Sequence, residues 1–157
     1  MSKKIYVSTT FIKDKQTVLQ AINKLKSIKI KNVEIGSNHS YERNYLNLKK
    51  FNMNLLIHNY FPVPKEEIII NVASQNKEIR KKSIKQIKKS IKYAKKNDAK
   101  LYTFHPGFIS DPVSSSKKKK NYDFIWKDKA DKKKIAWSNM IKSIREIIKF
   151  SKKIKFP

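Results

Sequence analysis

The sequence predicts an α/β fold: a (βα)4 half-barrel whose parallel strands run in the order 1-2-3-4 with outer helices, one partial domain over residues 1–157. Three observations predict it. Short apolar runs alternate with longer stretches of helical periodicity along the chain. Two of the apolar runs, Leu55-Leu56-Ile57-His58 and Leu101-Tyr102-Thr103-Phe104-His105, each close on a histidine. A lysine-rich helical pattern separates them, so Asn54 to Phe108 reads as a β-α-β unit with an imidazole at the carboxyl end of each strand. Ligand sites in parallel α/β sheets collect at those ends.

Each element has its own signal. Lys4 to Thr9, with Ile5, Tyr6 and Val7, is strand one. Thr17 to Ile28 places Val18, Leu19, Ile22 and Leu25 at helical spacing. Asn32 to Ser37 is strand two, stopped by Gly36. Tyr41 to Phe51 reads as a shorter second helix on Tyr45, Leu48 and Phe51, and Asn54 to Phe61 as strand three. Pro62 and Pro64 keep Pro62 to Val72 a loop, with Ile68 to Ile70 expected against the barrel mouth. Ser74 to Asn76 supplies the N-cap of helix three, which runs to about Asn97 with Ile84, Ile87, Ile91 and Ala94 in one stripe. Lys100 to Phe108 is strand four, and Ile109 to Lys129 a long loop. Helix four runs from about Asp131 to Ile154, with Ile135, Ile141, Ile144, Ile147 and Ile148 as its expected buried face. A flavodoxin-like doubly wound sheet also suits this length, and strand order 2-1-3-4 would reveal it.

Composition narrows the class. There is no cysteine, which excludes disulfides and thiolate metal sites. No apolar run approaches the roughly 18 residues of a membrane span, and the N-terminus lacks a signal-peptide pattern, so the expected location is cytoplasmic with no membrane partner. The net charge is +26, but 35 of the 38 basic residues are lysine. Lys, Ile and Asn make 70 of the 157 residues, and all three have A/T-rich codons, a sufficient cause for the bias. Nucleic-acid readers lean on arginine, here only Arg43, Arg80 and Arg145, so a nucleic-acid partner is the weaker expectation. The charge would still attract anionic small molecules.

The candidate site follows from strand spacing. Neighbouring strands lie roughly 4.8 Å apart, so side chains at matching heights can share one ion or substrate. His58 and His105 are the expected ligands of a divalent metal (Zn, Mn or Mg), and they supply two of the three or more protein ligands that zinc takes. Pro106 and Gly107 turn the chain sharply after His105. Glu34, an acid inside a strand, is the catalytic candidate, with a surface salt bridge as the bland alternative. Asn59, Tyr60 and the loop residue His39 are candidates for substrate binding. Trp126 and Trp137 read as packing residues, and Lys117 to Lys120 as a solvated loop.

Three stretches carry a family resemblance: Ile57-His58-Asn59-Tyr60-Phe61-Pro62-Val63-Pro64, Asn71-Val72-Ala73-Ser74 and Phe104-His105-Pro106-Gly107-Phe108. Together with Val33-Glu34-Ile35-Gly36 they resemble the xylose isomerase-like TIM-barrel superfamily, which includes sugar phosphate isomerases and epimerases and metal-dependent apurinic endonucleases. The resemblance implies half of a TIM barrel with His58 and His105 in the metal or substrate pocket. It implies a sugar or sugar phosphate substrate and aldose-ketose isomerisation or epimerisation by proton transfer. The family's remaining ligands and catalytic carboxylates come mostly from strands five to eight, whereas this sequence matches strands one to four of a fold that needs about 250 residues. The expected partner is therefore a second copy or a separately encoded C-terminal half. An apurinic endonuclease-like DNA-repair fragment and a non-catalytic half-barrel subunit are the alternative readings.

Overall fold

The computed structural model describes residues 4–11, 16–66, 68–111 and 132–157. Four strands pair in parallel in the order β1-β2-β3-β4: β1 (Val7–Ser8), β2 (Asn32–Ile35), β3 (Asn54–His58) and β4 (Leu101–Thr103). That order is the one expected of a half-barrel and excludes the doubly wound alternative. The helices are α1 (Val18–Ser27), α2 (Lys77–Lys96) and α3 (Lys132–Lys153). Two compact units emerge from the contacts. The first takes the described residues of Met1–Glu67, Gln86–Phe104 and Ser151–Pro157, the second those of Ile68–Lys85 and His105–Phe150.

The first unit holds the whole sheet. Alternation along β2 and β3 sends Val33, Ile35, Leu55 and Ile57 to one side, where all four are buried. They share the core with Val18, Ala21, Ile22 and Leu25 of α1 and with Ile87, Ile91 and Ala94 of α2. A capping box starts α1: Thr17 accepts from the Gln20 amide, and Gln20 accepts from the Thr17 amide. Gly36 ends β2 where a β-carbon would meet the Thr10 methyl at 2.1 Å, so a side chain there would force Thr10 to shift.

The expected second helix is only a 3-10 turn, Leu48–Phe51. Tertiary bonds claim the groups that a longer helix would have used. Leu46 O accepts from the Tyr93 hydroxyl, and the Leu48 amide donates to Asn97 Oδ1 at 2.6 Å. Tyr45, Phe61 and Tyr93 pack edge to face around that segment. Strand four is likewise shorter than expected, because Pro106 cannot donate to a ladder and the chain turns away after Phe104.

In the second unit Asn76 caps α2 as expected, its Oδ1 accepting from the amides of Glu78 and Ile79. Ile70 is buried there. The stripe that α3 buries is only in part the isoleucine face read from the sequence: Ile147 is buried and Ile141 and Ile144 are half-buried. Ala136, Ser143 and Ile147 are buried, while Ile135 and Ile148 stand 51% and 48% exposed and Trp137 63% exposed. Two polar anchors set the helix rotation: Asn139 Nδ2 donates to Ser74 O, and Ser143 Oγ donates to Val72 O. Lys117 to Lys120, Trp126 and the start read for helix four at Asp131 lie outside the described residues.

Candidate functional site

The other side of the sheet is only half-covered and carries the polar strand residues. The register aligns Ser8, Glu34, Leu56 and Leu101 in one row, and His58 with Thr103 two residues nearer the carboxyl ends. Glu34, Leu56, His58 and Thr103 are each half-buried. Strand geometry puts the Cα atoms of Glu34 and His58 on the order of 8 Å apart on one face. Among the described residues Glu34 makes no salt bridge, so the surface ion pair that would explain an acid in a strand is not found there.

His58 is oriented from the neighbouring strand. Its Nδ1 lies 2.8 Å from Thr103 Oγ1. Asn59 follows in a left-handed conformation (φ 51°), which asparagine tolerates better than most residues. Its backbone is tied down on both sides: the amide donates to Thr103 O at 2.7 Å, and the carbonyl accepts from the Tyr102 hydroxyl at 2.9 Å. Burial pushes the Tyr102 phenol up, so it stays a neutral donor. The Asn59 side chain is another matter. The residue is 7% exposed, and its Oδ1 is a buried acceptor with no donor among the described residues. Leaving such a group unpaired costs about 1–3 kcal/mol, a cost that a bound hydroxyl or water would relieve. Tyr60 lies in the next turn position, where Gln86 Nε2 donates to the carbonyls of Tyr60 and Pro62.

His39 is not a loop histidine waiting in solvent. It is 6% exposed, and protein partners take both ring nitrogens. The Gln16 carbonyl can only accept, so Nδ1 carries the proton and Nε2 accepts from Thr9 Oγ1 at 2.7 Å. Thr9 Oγ1 in turn accepts the Gly36 amide, which joins three segments through one imidazole. Burial lowers the His39 pKa, against the Gln16 carbonyl and the charge of Glu42, which raise it. These bonds give His39 a structural task, and a ligand reaches either nitrogen only by displacing one of them.

His105 lies in the second unit, two residues past β4, and is exposed. Among the described residues no group of three or more His, Asp or Glu side chains is placed to hold a metal ion. The donors described in this chain therefore do not compose a metal centre by themselves.

Sequence reasoning missed two features. Glu42 Oε1 is buried without a partner among the described residues and borders a cavity of about 10 Å³, the space of one water, with Ser40, Tyr45 and Phe61. No local pattern in Tyr41-Glu42-Arg43 signals this. The second is Asn71, 0% exposed, whose amide bonds are described below. Its signal was the polar residue inside an otherwise apolar run, Ile68 to Ala73.

A family model described as xylose isomerase-like TIM barrel matches residues 46–155, more than half of the chain. No curated protein matches it.

Proposed function

Since the chain belongs to the xylose isomerase-like TIM-barrel family, we propose that it takes part in sugar phosphate isomerase or epimerase chemistry at the half-covered face of its sheet. The observation that carries this reading is the conjunction at the carboxyl end of β3. An imidazole held by Thr103 sits on the same face as a carboxylate that lacks an ion pair among the described residues. A buried acceptor without a donor, Asn59 Oδ1, follows directly in sequence.

In this reading Glu34 takes a proton from the carbon beside the sugar carbonyl and returns it to the neighbouring carbon on the same face; epimerisation would need a second acid on the opposite face to deliver the proton. Positioned proton transfer of this kind contributes about 10²–10⁴-fold. Asn59 and Tyr60 receive sugar hydroxyls, and the excess of lysine draws in the phosphate. A divalent metal would polarise the carbonyl when bound. His58 and His105 are each proposed as a ligand for such a metal, and further donors must join either one. Thr103 serves that role by fixing the His58 ring, as hydrogen-bonded neighbours commonly do for ligating imidazoles.

Solvent-deuterium exchange into aldose and ketose phosphates, with zinc, manganese or magnesium present, tests the reading. Exchange is expected with the wild type and is expected to fall at least about 100-fold in Glu34→Gln. Equal exchange in both would remove Glu34 from the reaction.

A further inference from the structure

We propose that Asn71 is the positioning residue of the His105 turn: a buried amide that latches Pro106-Gly107-Phe108 and so sets where the His105 ring points. All the groups involved belong to the second unit. Asn71 Oδ1 accepts from two amides at once, Ala73 N and Phe108 N, both at 3.1 Å. Its Nδ2 donates to Asp111 Oδ1 at 2.8 Å. The Asn71 backbone amide donates to Ser83 Oγ at 2.9 Å, and the next amide, Val72 N, donates to Pro106 O at 2.9 Å. The side chain thus holds the Phe108 end of the turn and the carboxylate just beyond it, while the neighbouring Val72 amide holds the Pro106 end.

Two further facts show that the latch is built closely around the turn. Gly107 adopts φ 126°, and a β-carbon on it would stand 2.2 Å from Asn71 Oδ1 and 2.6 Å from Asn71 Cα. Glycine is therefore required both by the backbone conformation and by the amide pressed against it. Asp111 is held from its other side by Ser74 Oγ at 2.7 Å, and Ser74 Oγ accepts from the Asn76 amide that opens α2. The line of bonds runs from the cap of α2 through Ser74, Asp111 and Asn71 to Phe108, three residues past His105.

A generic brace would need only one of these bonds. Here the donor and the acceptor of a single amide have separate partners, and this permits a swap experiment. Asn71→Asp keeps the size and both acceptor bonds, but sets a second carboxylate against Asp111. Asn71→Asp/Asp111→Asn moves the donor to the other partner and restores the net charge of the single variant's parent. The readouts are the His105 ring resonances at fixed pH and the hydrogen exchange of the Val72 and Phe108 amides, all without metal. Asn71→Asp is expected to shift the ring resonances and speed both amides at least about tenfold, and the double variant to return them to within about twofold. Ser74→Ala, which frees one Asp111 oxygen and leaves Asn71 intact, is expected to move the same signals partway. It carries the test if Asn71→Asp does not fold.

Ring resonances that stay at the wild-type positions in Asn71→Asp or Ser74→Ala while the melting temperature falls would reduce Asn71 to a brace of the fold. A double variant that behaves like Asn71→Asp would remove Asp111 as the partner. Failure of the wild type to bind metal would overturn the metal reading above and leave this inference standing, since none of its readouts needs a metal.

Discussion

At the scale of single residues, histidine shows how little a residue's type reveals without its partners. In the sequence His58 and His105 each close an apolar run, while His39 sits in a polar loop, Ser37-Asn38-His39-Ser40. Long-range bonds separate them: His39 is locked by Thr9 and Gln16, and His58 is fixed by Thr103 on the open face of the sheet. No local pattern announces a Thr9–His39 bond that spans 30 residues. Glu34 and His58 share a face only through the β2–β3 register, which the sequence does not show: Glu34 aligns with Leu56, and period-two alternation then brings His58 to the same side. The His39 account makes a pH prediction. Its folded pKa lies below the ordinary value, so the unfolded chain binds the proton more readily. The stability due to neutral His39 is complete above about pH 6.5 and is lost as pH falls through the lowered folded value. His39→Gln should lower stability at pH 7 by about 1–3 kcal/mol through the broken bonds. It should also flatten the decline between pH 7 and pH 5, measured by urea denaturation across that range. An unchanged slope would show that other groups carry the acid sensitivity.

At the scale of elements, periodic patterns were read well wherever one face meets a continuous core. The α2 stripe of Ile84, Ile87, Ile91 and Ala94 is buried as the spacing required, and Asn76 caps it. Elements held by side-chain bonds to backbone were read less well. The stretch from Tyr41 has helical spacing, yet Tyr93 and Asn97 claim Leu46 O and the Leu48 amide. In α3 the isoleucines outnumber the other apolar residues, but Asn139 and Ser143 decide which side turns inward. Hydrophobic counting alone cannot see that a serine is the anchor. Gln86 plays the same part for the segment after β3. It is 6% exposed and its Nε2 donates to both Tyr60 O and Pro62 O, so it holds the turn that carries Asn59 and Tyr60. Gln86→Leu preserves the volume and strands two carbonyls. It should cost about 2 kcal/mol or more in guanidine denaturation. A cost near zero would mean that water replaces the amide at no loss.

At the scale of the whole molecule, strand order was the decisive feature. Parallel β1-β2-β3-β4 pairing and the family match together show four successive strands of a TIM-barrel fold. Among the described residues β1 and β4 each pair on one side only, and Leu101 on β4 is 44% exposed. Unpaired edges recruit strands, so we propose that β1 and β4 pair with a second copy or with a second half of the barrel. Light scattering on the purified chain should then give more than the 18.5 kDa monomer mass, or reach it on addition of that half. A stable monomer that no second half joins would contradict the pairing. No helix among the described residues is long and apolar enough to cross a membrane.

We propose that His58 and His105 each serve as a ligand of a divalent metal. Calorimetric titration with zinc of the wild type, His58→Ala, His105→Ala and the double variant tests it most directly. Binding is expected to be measurable, to weaken at least about tenfold with each histidine removed, and to weaken further in the double variant. Equal zinc affinity in the wild type and the double variant would contradict it.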